Sequence, residues 1–374
     1  MTRTGSYSDA YGRRADTSVA DRPYQRDQHL ESISPKEAVE WYLDHRRDDA
    51  RIATRQKHRY ALAAFLDWTA TTDFDDLTDL TGRDLMRFKT WRKRDGDLAN
   101  ISLNGNLAVL KRFLVFCENI NAVQPDLADR VPMPNVPDQE QVSDVTPSNE
   151  SVHQIRTHYR KFEYASRHQT IFELIAEVGL RMGAVRSIDI ADFHPDDLII
   201  ELHHRPEGPD QEGTPLKNGR DGERIINLSP GLSELLVDYI EGNRHNVTDE
   251  YNREPLFTTS AGRVSKTTIR KGFYRMTRPC KYSEECPESR TVADCEAAKS
   301  AHASKCPAGF TSHPLRRWSI MHQLDQGLTK ELLSDRVDVS VPVLEQHYDQ
   351  RSEERKRKQR RDVLAQCLDE YRAH

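Results

Sequence analysis

Apolar positions recur at helical spacing through most of the first third of the chain. Ser34-Pro35-Lys36-Glu37 opens a helix, because Ser is a good N-cap and Pro suits the first turn, and Trp41, Tyr42 and His45 continue it. Tyr60, Ala61, Ala64, Phe65 and Trp68 stand at i, i+1, i+4, i+5 and i+8 and predict a second helix. A third runs from Thr81 through Leu85, Phe88 and Trp91, and a fourth is marked by Leu103, Leu107, Leu110, Phe113, Leu114 and Cys117. No β-rich segment interrupts them, so residues 30–128 are expected to form a compact four-helix unit. Arg51, Arg55, Lys57, His58 and Arg59 are placed on its exposed positions, either as a solvated face or as a face toward DNA.

The pattern changes twice more. Residues 1–29 are polar without periodicity and read as a flexible arm. Pro132, Pro134, Pro137 and Pro147 forbid a continuous helix and mark 129–150 as an extended linker, the best domain boundary in the chain. Beyond it, Ile171, Phe172, Leu174, Ile175 and Val178 predict an amphipathic helix stopped at Gly179. Strands are expected at Leu198–Leu202 and Arg224–Leu228, joined as a hairpin by a polar stretch containing Gly208, Gly213, Gly219 and Gly222. Helix returns at 230–241, 265–277, 314–326 and 351–372. The fold class is therefore mainly α (α+β), with a second domain, 151–374, that is mostly helical around a small antiparallel sheet.

Composition narrows the class without naming it. Hydrophobic residues make up 36% and charged residues 31%, with a net charge of −5, so there is no global signature of a nucleic-acid binder. A locally basic face on an otherwise acidic surface remains compatible with DNA. The absence of an apolar run of signal-peptide or membrane-spanning length predicts a soluble, cytoplasmic protein. Four of the six cysteines, Cys280, Cys286, Cys295 and Cys306, crowd into one stretch. Their spacings of x5, x8 and x10 are looser than the usual C-x2–4-C pairs. They are candidate ligands of a structural zinc within an insertion at 278–310, or else reduced packing thiols.

The chain holds no P-loop, GxGxxG, GxSxG or HExxH, which removes most weight from nucleotide-driven enzymes, Rossmann enzymes, hydrolases and zincins. Gly179-Leu180-Arg181-Met182-Gly183 remains at a helix end, and His313-Pro314-Leu315-Arg316-Arg317 at a helix start. Lys217 sits in the hairpin between them, and His347-Tyr348-Asp349 follows. In that order, Arg181, Lys217, His313, Arg316 and Tyr348 resemble the active-site series of the tyrosine recombinases, the phage-integrase family. Glu177-Val178-Gly179-Leu180-Arg181 matches its first box, and His313-Pro314-Leu315-Arg316 its H-x-L-R box. Tyr348, 32 residues after Arg316, matches its nucleophile. The stretch Ser340 to Asp349 is most similar to the archaeal branch.

The resemblance implies a helical core-binding domain followed by a catalytic domain. It implies cleavage and rejoining of double-stranded DNA at specific sites through a 3′-phosphotyrosyl intermediate, a homo-tetramer on DNA, and no cofactor for catalysis. Three departures stand out, one of them the long hairpin around Lys217, which is nonetheless the only lysine between residues 203 and 223. Ala184 occupies the position, three after Arg181, where the family often carries a carboxylate. The family's His, Trp or Lys ahead of the tyrosine is best matched by Arg336, although the interval to Tyr348 is about three residues longer than usual. After the tyrosine, the basic run 351–361 precedes an apolar stripe of Val363, Leu364, Cys367, Leu368 and Tyr371, which is expected to dock on a neighbouring protomer. An inactive DNA-binding relative and a zinc-stabilised interaction protein are the alternative readings.

The residue types suit that chemistry on physical grounds. Breaking a phosphodiester without a metal needs cations that stay charged and match phosphate oxygens bidentately, as Arg does. Lys217 can protonate a leaving 5′-oxygen, and His313 can serve a phosphate oxygen or the tyrosine proton. A tyrosyl phosphodiester conserves the bond energy, so a 5′-hydroxyl can reverse the step without ATP.

Overall fold

The computed structural model describes residues 29–349, except 73, 138–144, 209 and 284, and then 351–354, 356–358, 360–361 and 364–365. The arm expected before residue 29, part of the linker, and Val363, Cys367, Leu368 and Tyr371 of the expected C-terminal helix lie outside these. The described residues divide into two compact units. One contains the residues up to Arg46 and Arg55–Val136; the other contains Arg47–Thr54 and the residues from Pro137 onward.

The first unit is built from helices Pro35–His45, Gly82–Asp95 and Asn100–Asn119 and from all but the first three residues of helix Ile52–Thr69. Ser34 caps the first, its hydroxyl accepting from the Glu37 amide at 3.3 Å, and Thr81 with Asp84 forms a capping box on the third. Tyr42, Phe65, Trp68, Phe88 and Phe113 form its core, and Phe65 meets Phe88 edge-on at 5.5 Å between ring centres. The second helix starts eight residues before Tyr60, because its polar first half carries no apolar stripe to read. His58 departs from its expected exposed position. It is buried, and its Nδ1 pairs with the Tyr42 hydroxyl at 2.9 Å.

The second unit wraps helices around a three-stranded antiparallel sheet ordered Phe193–His194, Ile199–Leu202, Arg224–Asn227. Ile200 faces Ile226 in register, and both are buried with Leu202, whereas Ile225 points outward, so the alternation of period two sets which face meets the core. Residues 203–223 form the hairpin connection between the two longer strands. Helix Ser312–Asp325 packs on helix Arg167–Val178, placing Leu315 and Trp318 in one core with Phe172, Ile175 and Val178. A smaller apolar cluster of Ile320, Leu324, Leu333, Val337, Val339 and Leu344 joins that helix to the short helices Lys330–Val337 and Val341–His347, with Tyr348 packed against it. Helices Asn149–Phe162, Lys330–Val337 and Val341–His347, and the two-residue strands, go beyond the elements expected from sequence.

Candidate active site

Helix Arg167–Val178 ends at Gly179, whose φ of +78° is left-handed, a conformation that costs glycine nothing and other residues energy. The turn it makes exposes the Gly179 carbonyl and places Arg181 as the N-cap of helix Met182–Ser187. Arg316, one turn into helix Ser312–Asp325, is 2% exposed, and its two terminal nitrogens donate to the Gly179 carbonyl at 2.6 Å and the Val337 carbonyl at 2.9 Å. The guanidinium thus ties together the ends of two helices that are far apart in sequence. Tyr348 caps helix Val341–His347, its amide donating to the Leu344 carbonyl at 3.0 Å. Its side chain is close enough to act on the Arg316 charge, and the Arg317 guanidinium lies 5.9 Å from its ring centre. Arg316, His313 and Tyr348 therefore converge with Arg181 in one neighbourhood.

The electrostatics follow from that crowding. Burial, then the charge of Arg181, lowers Arg316 to about 10, while the neighbouring tyrosine acts the other way. Partial burial, then Arg316, Arg317 and Arg181, pushes the His313 imidazole below its ordinary value. Arg181 Nη1 donates to the Asp338 carboxylate at 2.5 Å, and the Asn218 amide donates to its other oxygen at 2.7 Å. Lys217, next to Asn218, is exposed and lines one cavity with Arg181, Arg224 and Asp338.

Two residues of this neighbourhood, Arg224 and Asp338, were not singled out from the sequence. Burial lowers Arg224 to about 10, against the favourable charge of Asp338. Its Nε donates to the Arg336 carbonyl at 2.9 Å. Arg336, by contrast, turns its own side chain away, donating to the Gln323 side chain at 3.1 Å and the Asn227 carbonyl at 2.9 Å. The guanidinium of Arg336 is thus spent on the end of a strand, and Asp338, two residues later, is the side chain that faces Arg181.

Beyond the tyrosine, the chain is held to its own unit. Asp349 has a nearly buried side chain that accepts from Arg351 at 2.7 Å and 3.0 Å and pairs with Lys330 at 3.2 Å. Those cations, Arg351 first, hold its carboxyl well below the usual range, and Arg351 also donates to the Leu324 carbonyl at 2.6 Å. This clamp fixes the residue that follows the candidate nucleophile.

In the insertion, Cys280, Cys286, Cys295 and Cys306 are free thiols that line one small cavity. His302 is paired with Glu296 at 3.3 Å. Among the described residues, no three His, Cys, Asp or Glu side chains are grouped closely enough to hold a metal ion. None of the helices among them is long and apolar enough to cross a membrane.

No protein-family model and no curated protein matches this sequence. Solved structures do. The Tn1549 transposon integrase in complex with transposon right end DNA superposes with a TM-score of 0.66 at 11% identity, covering 89% of this chain and all of that one. The chain has the fold of the tyrosine recombinases, the phage-integrase family. Lambda integrase, as a dimer bound to a core site, matches with a TM-score of 0.59 at 13% identity, over 86% of this chain and 79% of that one. A phage integrase N-terminal domain from Haloarcula marismortui is 36% identical over 28% of this chain and 99% of that one, with a TM-score of 0.27. With the tyrosine-recombinase fold established, the arginines, histidine and tyrosine above lie in segments whose order matches that family's boxes.

Proposed function

We propose that the protein is a site-specific DNA recombinase, an enzyme that cleaves and rejoins double-stranded DNA with Tyr348 as nucleophile. The observation that carries the reading is the buried Arg316, which joins the Gly179 turn to the tyrosine segment and so brings Arg181, His313 and Tyr348 to one place. In the proposed reaction the Tyr348 hydroxyl attacks the scissile phosphorus. The bond to the 5′-oxygen breaks, and the 3′-phosphate becomes joined to the tyrosine. Arg181 and Arg316 stabilise the charge on the non-bridging oxygens of the pentacoordinate transition state. His313, held toward its neutral form, accepts the phenolic proton or donates to a phosphate oxygen. Lys217 gives a proton to the departing 5′-oxygen. A 5′-hydroxyl from another strand later attacks the phosphotyrosine and restores the DNA bond.

Two arginines supply the charge that a divalent ion provides in many nucleases, so the reaction proposed needs no metal cofactor. Lambda integrase is known as a tetramer bound to a Holliday junction, which supports assembly of this chain as a homo-tetramer on DNA. The test is cleavage, in EDTA, of a nicked duplex bearing a site selected by binding from random-sequence DNA. A covalent protein–DNA product with a free 5′-hydroxyl is expected; binding without any covalent product would leave only a DNA-binding protein.

For the insertion at 278–310 we propose a structural zinc held by Cys280, Cys286, Cys295 and Cys306. That all four line one cavity supports it, and so does the scarcity of buried apolar residues there, where Ala297, Ala303 and Phe310 are the main ones. A segment of this size without a core usually needs a metal or cross-link to hold its shape. The bound ion would draw the thiols closer than they stand.

A further inference from the structure

Asp338 is the acceptor at which three segments meet. As the C-cap of helix Lys330–Val337 it adopts φ +56° and ψ 56°, left-handed values that Asp, Asn and Gly reach more readily than other residues. Its backbone amide closes the helix onto the Ser334 carbonyl, so capping is complete without the side chain. The carboxylate does something else. One oxygen accepts from Arg181 and the other from Asn218, the neighbour of Lys217 in the hairpin. It also counteracts the cost of burying Arg224.

The exposures say which side of this pair faces a ligand. The Asp338 side chain is 12% exposed and that of Arg181 32%, so the carboxylate sits behind the guanidinium. A guanidinium carries five N–H donors, and the pairing with Asp338 uses Nη1, leaving a planar fork that a phosphate can meet. An arginine backed by a carboxylate keeps its orientation before the ligand arrives, and pre-orientation is what makes a bidentate contact effective at the transition state. Ala184, buried three residues after Arg181, offers no such group. The carboxylate comes instead from Asp338, 157 residues after Arg181.

We infer that Asp338 is a positioning residue of the site, fixing Arg181 toward the scissile phosphate and, through Asn218, bringing Lys217 to the same phosphate. The inference rests on the DNA-cleavage reading above.

Single-turnover cleavage of the nicked duplex tests it, with wild type, Asp338→Asn, Asp338→Gly and Asn218→Ala. Asn and Gly keep the left-handed backbone, and Asn218 is exposed, so its variant reports on the hairpin even if position 338 proves fragile. Each is measured on the ordinary substrate and on one with sulfur replacing the bridging 5′-oxygen. A thiolate leaves without a proton, so that substrate bypasses Lys217. Half-site binding is expected to stay within about twofold, while both Asp338 variants lose at least about tenfold in cleavage of the ordinary substrate. The sulfur substrate should restore part of that loss for Asp338→Asn and most of the smaller loss for Asn218→Ala. Asp338→Asn cleaving at the wild-type rate, or faster because the carboxylate competes with phosphate, would overturn the inference. Equal losses on both substrates would overturn the link to Lys217. Absence of a covalent product in the wild type would instead strike the reading of function itself.

Discussion

Burial and the charge of Arg181 bring the Arg316 guanidinium down to about 10, which still leaves it charged at neutral pH. His313 feels the same neighbours from outside, and its imidazole is pushed the other way from a histidine paired with a carboxylate. The sign has a consequence. In the DNA-free protein His313 should titrate below the ordinary value of about 6.5 and be neutral at pH 7. A bound scissile phosphate would offset the charges of Arg316, Arg317 and Arg181, so the same group should titrate higher in the DNA complex. NMR of labelled histidines in Tyr348→Phe, assigned with His313→Gln, measures both states, with a neutral methylphosphonate duplex as control. A free-protein value at or above the ordinary one, or equal rises with both duplexes, would show that the three arginines do not set it.

At the scale of elements, the turn at Gly179 governs the site more than any helix does. A Cβ there would approach Val337 Cγ1 to 3.2 Å and Ser319 Oγ to 3.3 Å, on a backbone whose φ is +78°. Gly179→Ala should therefore cost about 1–2 kcal/mol from the left-handed strain alone. That corresponds to a melting temperature lower by roughly 2–8 °C for a unit of this size. Because the displaced carbonyl is the one Arg316 donates to, cleavage should fall at temperatures where the variant is still folded. Unchanged melting would contradict the role of the turn. The insertion makes an equally concrete prediction. Protein purified without a His-tag should contain close to one equivalent of zinc, lost together with thermal stability on Cys286→Ser; less than a tenth of an equivalent would remove the zinc.

Elements with a wide apolar stripe were legible in the sequence, and thin ones were not. The four helices of the first unit show repeated Leu, Phe and Trp at helical spacing, and the strands at 199–202 and 224–227 lie within one residue of where Ile and Leu place them. Helix Asn149–Phe162 buries only Val152, Ile155 and Tyr159 among polar residues, and helices of eight and seven residues at 330–337 and 341–347 are too short for periodicity to register. Within the site, Arg181, His313, Arg316 and Tyr348 could be picked out because each sits in a short motif. Arg224 and Asp338 have no local motif, and their meaning arises when the chain folds distant segments together. Arg336, expected ahead of the tyrosine, donates to Gln323 and Asn227 in a stretch where only tertiary contacts tell one polar side chain from the next.

For the whole molecule, the balance of charge is uninformative and its distribution is not. A net charge of −5 coexists with Arg181, Arg224, Arg316, Arg317 and His313 standing close enough for their charges to act on one another. The clamp of Asp349 by Arg351 and Lys330 accounts for how the tyrosine segment is held. The claim at the centre is that the Tyr348 oxygen makes the bond to DNA. Its most direct test is to trap the product of a nicked duplex in EDTA, digest the protein and DNA, and identify the linked peptide by mass spectrometry. The account predicts a nucleotide attached through a 3′-phosphate to the peptide containing Tyr348, and no adduct from Tyr348→Phe although it still binds the site. An adduct that persists in Tyr348→Phe, or maps to another residue, would contradict it.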